Sequence, residues 1–177
     1  MARVPDAEGD DEVAARIRSR RPGGVLRPID HVLLHCPPIA DGWNDLLGAI
    51  RARMGLRADL RELVILRIAV LNDAPYEWAS HQADAVAAGL SDEQMAALRG
   101  QDAAQSVALD ELQRLVVRYT DRMTTRVDVP AELFQEVATR LDQRSLVELT
   151  ITIAAYNMVS RLVVALDVEV SKQVGAA

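Results

Sequence analysis

The chain is predicted to be all-α, and three observations predict it. Half of its 177 residues are hydrophobic while aromatics make up only 3%, so burial rests on Leu, Val, Ile and Ala, residues that pack helices well. Nine glycines and seven prolines in the whole chain leave few of the turn signals that a many-stranded sheet requires. The apolar residues recur at helical spacing, as in Leu109, Leu112, Leu115, Val116, Tyr119 and Met123, rather than alternating.

Taken in order, residues 1–24 read as a flexible N-terminal arm that mixes acidic and basic clusters, turns helical from Asp11 and ends in Pro22-Gly23-Gly24. A single helical domain is expected over 25–177. Pro28 opens a short helix through His31 and His35, and Pro37 and Pro38 are expected to terminate it, because proline cannot continue the hydrogen-bond ladder. A helix follows from Ile39 to Met54. The next, from Asp59 to Leu71, contains L63-V-I-L-R-I-A-V-L71; it is apolar on nearly every face apart from Arg67, which predicts a central position. Pro75 sits at a first helical position and Gly89 at a stop. Ser91 and Gln94 have capping-box spacing. A polar connector spans 100–107, the amphipathic helix begins near Leu109, Pro130 opens another, and a long helix covers Asp142 to Leu166. This last helix is apolar on more faces than the outer helix of a monomer needs, which predicts subunit contact.

Composition restricts function. A net charge of −6 argues against nucleic acid, whose phosphates require a basic surface. Cys36 is the only cysteine, so no internal disulfide forms and a dithiol cycle needs a thiol from elsewhere. The polar, acidic start is unlike a signal peptide, and the tract from Leu146 to Leu166 is interrupted by Glu148, Asn157 and Arg161, which a membrane span does not readily accept. A cytoplasmic protein without membrane association is expected.

Chemistry concentrates in A74-P-Y-E-W-A-S-H81. On a helix Glu77 and His81 are i and i+4 neighbours, so the carboxylate orients the imidazole and raises its basicity. Tyr76, Trp78 and Ser80 flank them. If Glu62 meets this face, two carboxylates and a histidine converge where water is scarce, and their pKa values are expected to move toward neutrality, as proton transfer requires. A simpler account of Glu77 stands beside this one: it occupies the third position after the helix start, where glutamate caps free N–H groups, and Pro130-Ala131-Glu132 repeats the arrangement with no histidine following. His31 and His35 share a four-residue spacing but lack the further ligands of a zinc site; no metal is expected. His35, beside the proline turn, is a candidate pocket residue. Arg67 either pairs with one of these carboxylates or holds a substrate anion.

R61-E-L-V-I-L-R-I-A69, P75-Y-E-W-A-S-H81 and A87-A-G-L-S91 together resemble the carboxymuconolactone decarboxylase family, which includes the alkylhydroperoxidase D-like proteins; the likeness extends to L33-L-H-C-P-P-I-A40 and E148-L-T-I-T-I-A-A-Y-N-M-V-S-R161. The resemblance implies an all-helical fold assembled as trimers or hexamers, with a pocket near a subunit interface. In the peroxidase branch a C-x-x-C pair precedes the histidine at a helix N-terminus, where thiol pKa values fall; here those positions hold Ala74 and Glu77. The family's glutamate and histidine match Glu62 and His81. The decarboxylase branch also lacks the thiol pair and uses no metal or organic cofactor. The resemblance therefore implies a cofactor-independent lyase or isomerase acting on a small carboxylated, enolisable compound, with His81 as proton carrier, Glu77 as orienter and Glu62 as second carboxylate. Two alternatives stand beside it: a non-catalytic oligomeric binding module of the same fold, and a peroxide or redox protein using Cys36 alone.

Overall fold

The computed structural model describes residues 2–9 and 11–169, and among these every regular element is a helix. The chain forms two compact units: residues up to Met54 with those from Val163 onward, and Gly55–Leu162.

The first unit contains α1 (Glu12–Arg20), α2 (Pro28–Leu33) and α3 (Pro37–Ala52). Asp11 caps α1 by accepting from the Ala14 N–H at 2.8 Å, which satisfies a donor that the helix start leaves open. Ala14 and Ile17 of α1 and Leu47 and Ile50 of α3 are buried. A buried pair joins the loop after α1 to α2: Arg21 donates twice to the Asp30 carboxylate, at 2.9 and 2.5 Å. One expectation is corrected here. Pro37 and Pro38 do not terminate the helix that begins at Pro28; α2 already ends at Leu33, and the two prolines fill the first positions of α3, where their missing N–H groups cost nothing.

The second unit is built around α4 (Ala58–Leu71). Leu63, Val64, Ile65, Leu66 and Ile68 are buried, so every face of this helix meets protein. It packs against α5 (Pro75–Ala87), α6 (Asp92–Leu98) and α7 (Glu111–Arg126); α8 (Ala131–Arg140) lies on α7. The Ser91–Gln94 capping box forms as expected. A second box starts α7, with Asp110 and Gln113 exchanging bonds, so Leu109 lies ahead of the helix rather than in it. Gln113 also donates to Asp59 at 3.2 Å, tying the first turns of α7 and α4 together.

Arg67 decides how α4 is held. Its guanidinium makes two hydrogen bonds to the Asp121 carboxylate on α7, at 2.6 and 2.8 Å, and two more to the carbonyls of Leu98 and Gly100, at 2.7 and 2.8 Å. A charge on a fully packed helix is tolerated only when paired and hydrogen-bonded in this way. The expected pairing with Glu62 or Glu77 does not occur; Arg67 points to the opposite side of α4, toward α6 and α7.

The long helix α9 (Gln143–Ala165) is apolar and long enough to cross a membrane by length and composition, and half of its most apolar window is buried within the protein. Leu149, Ile153 and Tyr156 face the interior, while Val147, Ile151 and Met158 are exposed. The exposed three are spaced by four and seven residues, so they lie on one stripe.

Replacing Arg67 by Ala is expected to lower stability by about 3–5 kcal/mol in urea unfolding, because it strands the Asp121 carboxylate and two carbonyls together. Arg67→Lys is expected to recover only part of this, since an ammonium cannot reproduce the four-donor fork.

Candidate functional site

The site grows from two helix starts. Glu62 lies in the first turns of α4 and His81 two turns into α5; the close packing of these helices brings the two side chains together. The His81 Nδ1–H donates to Glu62 Oε2 at 2.8 Å. A carboxylate only accepts, so this bond fixes the tautomer and leaves Nε2 with its lone pair available. Tyr156 of α9 donates its O–H to that Nε2 at 3.3 Å, its ring standing edge-on to the imidazole with centroids 5.2 Å apart. Glu77 Oε2 lies 3.8 Å from the same nitrogen. Glu62, Glu77 and His81 are each no more than 3% exposed.

Glu77 therefore does not serve as the cap of α5. The backbone N–H of Ala74, which a capping glutamate would receive, already donates to the Ala69 carbonyl at 2.8 Å. The Glu77 carboxylate instead follows the helix toward His81, one turn on.

Electrostatics at Glu62 run against the expectation of a carboxyl raised toward neutrality. Burial pushes it up, but the hydrogen bond and charge of His81, with the Arg61 guanidinium bonded to Oε1 at 3.0 Å, outweigh burial and lower its pKa. Glu62 is thus an anionic anchor for the imidazole.

The remaining candidates divide. Tyr76 and Trp78 are buried on α5, Ser80 is half-buried on the same helix, and Arg67 is committed to Asp121. His35 lies in the first unit, exposed, with its Nε2 bonded to the Pro5 carbonyl at 2.7 Å. Cys36 is exposed in the turn before α3. Sequence reasoning did not single out Arg61, Tyr156 or Asp84. A tyrosine inside an apolar helix does carry a signal, since a buried O–H needs a partner, and Asp84 follows His81 by three residues on the same face.

Among the described residues, Glu62, His81 and Asp84 each place one oxygen or nitrogen within 4.8 Å of the others. The two Glu62 oxygens are already engaged, Oε1 by Arg61 and Oε2 by the His81 Nδ1–H. Of the three, Glu62 and His81 are hydrogen-bonded to each other, and Asp84 lies beside them, exposed to solvent.

Comparison with known proteins agrees with this architecture. Residues 37–108, which include Glu62, Glu77 and His81, match the model of the carboxymuconolactone decarboxylase family. An uncharacterized peroxidase-related protein from Ralstonia eutropha JMP134, described as an alkylhydroperoxidase AhpD core, is similar in structure: TM-score 0.81, 15% identity, covering 98% of this chain and 94% of that one. A protein of unknown function from Agrobacterium tumefaciens, linked by its description to AhpD, gives a TM-score of 0.71 at 18% identity over 78% and 94% of the two chains. The debrominase Bmp8 gives 0.75 at 16% identity over 93% and 87%. No curated protein sequence matches the chain. The chain has the alkylhydroperoxidase D-like fold and, with Cys36 as its single cysteine, no C-x-x-C pair.

The lowered pKa of Glu62 sets a pH dependence with a definite sign. Its carboxylate stabilises the fold fully above the ordinary glutamate value of 4.5 and loses that contribution as pH falls through the lowered value. The difference in melting temperature between the wild type and Glu62→Gln is therefore expected to be constant from neutrality down to about pH 5 and to shrink at more acid pH.

Proposed function

We propose that the chain is a cofactor-independent lyase or isomerase that moves a proton at carbon on a small carboxylated, enolisable compound such as a lactone or keto acid. The observation that carries this reading is the imidazole of His81, held by Glu62 through Nδ1 while Nε2 faces Tyr156 and Glu77. The match to the carboxymuconolactone decarboxylase family over a segment that includes Glu62, Glu77 and His81 supports it, and so does the similarity in fold to the debrominase Bmp8, whose structure holds 2,3,4-tribromopyrrole.

The chemistry follows from the two nitrogens. When the carbon–carbon bond to a carboxylate breaks, carbon dioxide leaves and the electron pair passes into a conjugated carbonyl as an enolate. That enolate must be protonated at carbon. Nε2 is the transfer atom: it takes a proton, the resulting imidazolium is stabilised by anionic Glu62, and Nε2 then delivers the proton to carbon. In an isomerisation the same atom removes and returns the proton. Tyr156 holds the direction of Nε2, Glu77 lies beside it where an imidazolium would form, and exposed Asp84 offers the route by which protons equilibrate with solvent. Thiol-based peroxide reduction has no place at Ala74 and Glu77, and Cys36 stands alone as a thiol.

The working unit in this proposal is a homo-oligomer, a trimer or hexamer in the cytosol, with the exposed stripe of Val147, Ile151 and Met158 as its contact face. Near-complete burial of His81 favours one other reading, a non-catalytic oligomeric binding module in which the same hydrogen bonds serve only the fold.

His81→Gln is expected to keep the melting temperature within a few degrees and to reduce turnover by about a hundredfold or more. Tyr156→Phe, which removes one bond to Nε2, is expected to cost about tenfold. Turnover unchanged in folded His81→Gln, in a screen of lactones and keto acids, would exclude the catalytic reading. In light scattering at micromolar concentration the wild type is expected to be larger than a monomer, and Ile151→Glu, which places a charge in the apolar stripe, to shift it toward monomer. A wild-type monomer would refute the assembly.

A further inference from the structure

A cavity of about 230 Å³ lies at the N-terminal end of α5, with Ala69, Val70 and Pro75 among its apolar walls. Drug-sized pockets begin near 300 Å³, so this one suits a compact ligand, about a single substituted ring. Three polar residues line it: Trp78, Arg99 and Asp73.

Trp78 carries a buried N–H, while the side chains of Arg99 and Asp73 are exposed and make no hydrogen bond or ion pair among the described residues. Trp78 is 8% exposed, and its indole N–H is buried without an acceptor among the described residues. A buried donor left in this state is costly and is usually explained by a missing partner. The Arg99 guanidinium lies over the Trp78 ring, 3.6 Å from its centroid. That stacking fixes the plane of the guanidinium while leaving its edge donors available. Its surroundings differ from those of Arg57, Arg118, Arg140 and Arg144 in the same unit, each of which has a carboxylate. Asp73, at φ +48° in the turn between α4 and α5, is exposed; its backbone N–H donates to the Val70 carbonyl, and its carboxylate makes no hydrogen bond to the described residues.

The backbone that presents Arg99 is itself held. Arg67 bonds the carbonyls of Leu98 and Gly100, the residues on either side of Arg99, so the guanidinium projects from a rigid turn at the end of α6. This is the kind of support that a preorganised site needs.

We propose that this cavity binds a small hydroxy-substituted carboxylate: the carboxylate accepts from the Arg99 guanidinium and the Trp78 indole N–H, and the hydroxyl donates to Asp73. The proposal deepens the reading above, since the cavity opens at the first turn of the helix that carries Glu77 and His81, and it rests on that reading for turnover but not for binding.

The test uses 4-hydroxybenzoate and its neutral counterpart 4-hydroxybenzamide as probes, titrated calorimetrically into the protein as purified. The acid is expected to bind at least tenfold more tightly than the amide. Arg99→Gln is expected to weaken acid binding about 10- to 100-fold, the range of a charge-assisted hydrogen bond, and to erase the preference for the acid. Trp78→Phe keeps a ring beneath Arg99 and is expected to weaken it several-fold; melting curves confirm that each variant is folded. Binding of neither probe, equal binding of both, or full acid affinity in Arg99→Gln overturns the proposal. Two results separate it from the catalytic reading. Arg99-dependent binding with no turnover of any lactone or keto acid leaves the cavity standing and removes the lyase. Turnover with an unchanged KM in Arg99→Gln removes the cavity and leaves the proton-transfer site.

Discussion

A helix packed on all sides cannot carry a charge unless a neighbour answers it, and α4 carries two such charges in its interior. Glu62 is answered by Arg61 and by His81 on α5; Arg67 is answered by Asp121 on α7 and by two carbonyls at the end of α6. Burying either charge alone would cost several kcal/mol. The packing of α5, α6 and α7 is therefore constrained by polar geometry as well as by the fit of apolar side chains. Slippage of α5 along α4 by one turn would break the Glu62–His81 bond and leave a carboxylate and an imidazole in a dry environment.

The two charges do different work because they lie on opposite sides of the same helix. The Glu62 side holds a carboxylate bonded to an imidazole, a phenol on the imidazole's other nitrogen and a second carboxylate nearby, all buried. On the Arg67 side four hydrogen bonds from the guanidinium hold Asp121 and fix a turn. That turn carries Arg99 to the cavity at the start of α5. The Glu62–His81 pair and the cavity thus depend on one helix, and α5 contributes to both through residues that are neighbours in sequence: Trp78 in the wall, Glu77 and His81 inside.

Loss of the thiol pair changes what this architecture can be used for. With Ala74 and Glu77 at the two positions, the first turn of α5 presents no nucleophile. Its third residue, Glu77, lies one turn from the His81 imidazole. In the proposed reading such a site handles protons rather than electrons.

Much of this was legible in the residues themselves. The scarcity of aromatics and the helical periodicity establish an all-α chain, the unbroken L63-V-I-L-R-I-A-V-L71 run establishes that its helix is central, and Pro75 and Ser91 mark helix starts through the backbone donors they lack or satisfy. Side-chain destinations were settled only by tertiary structure. Glu77 reaches a cap or a histidine equally well from the same helical position, and the choice fell to the Ala69 carbonyl, which claimed the Ala74 N–H. Pro37 and Pro38 can close one helix or open the next, and packing chose the second. Arg67 was recognisable as a charge in need of a partner, but Asp121 lies 54 residues away, and the partner is selected by which helix faces it. Tyr156 looked like one more apolar residue until α9 brought it against His81. Local sequence determines which conformation a segment adopts and which face it buries, because those depend on neighbours within a turn or two. Which polar groups meet is decided by contacts between distant segments.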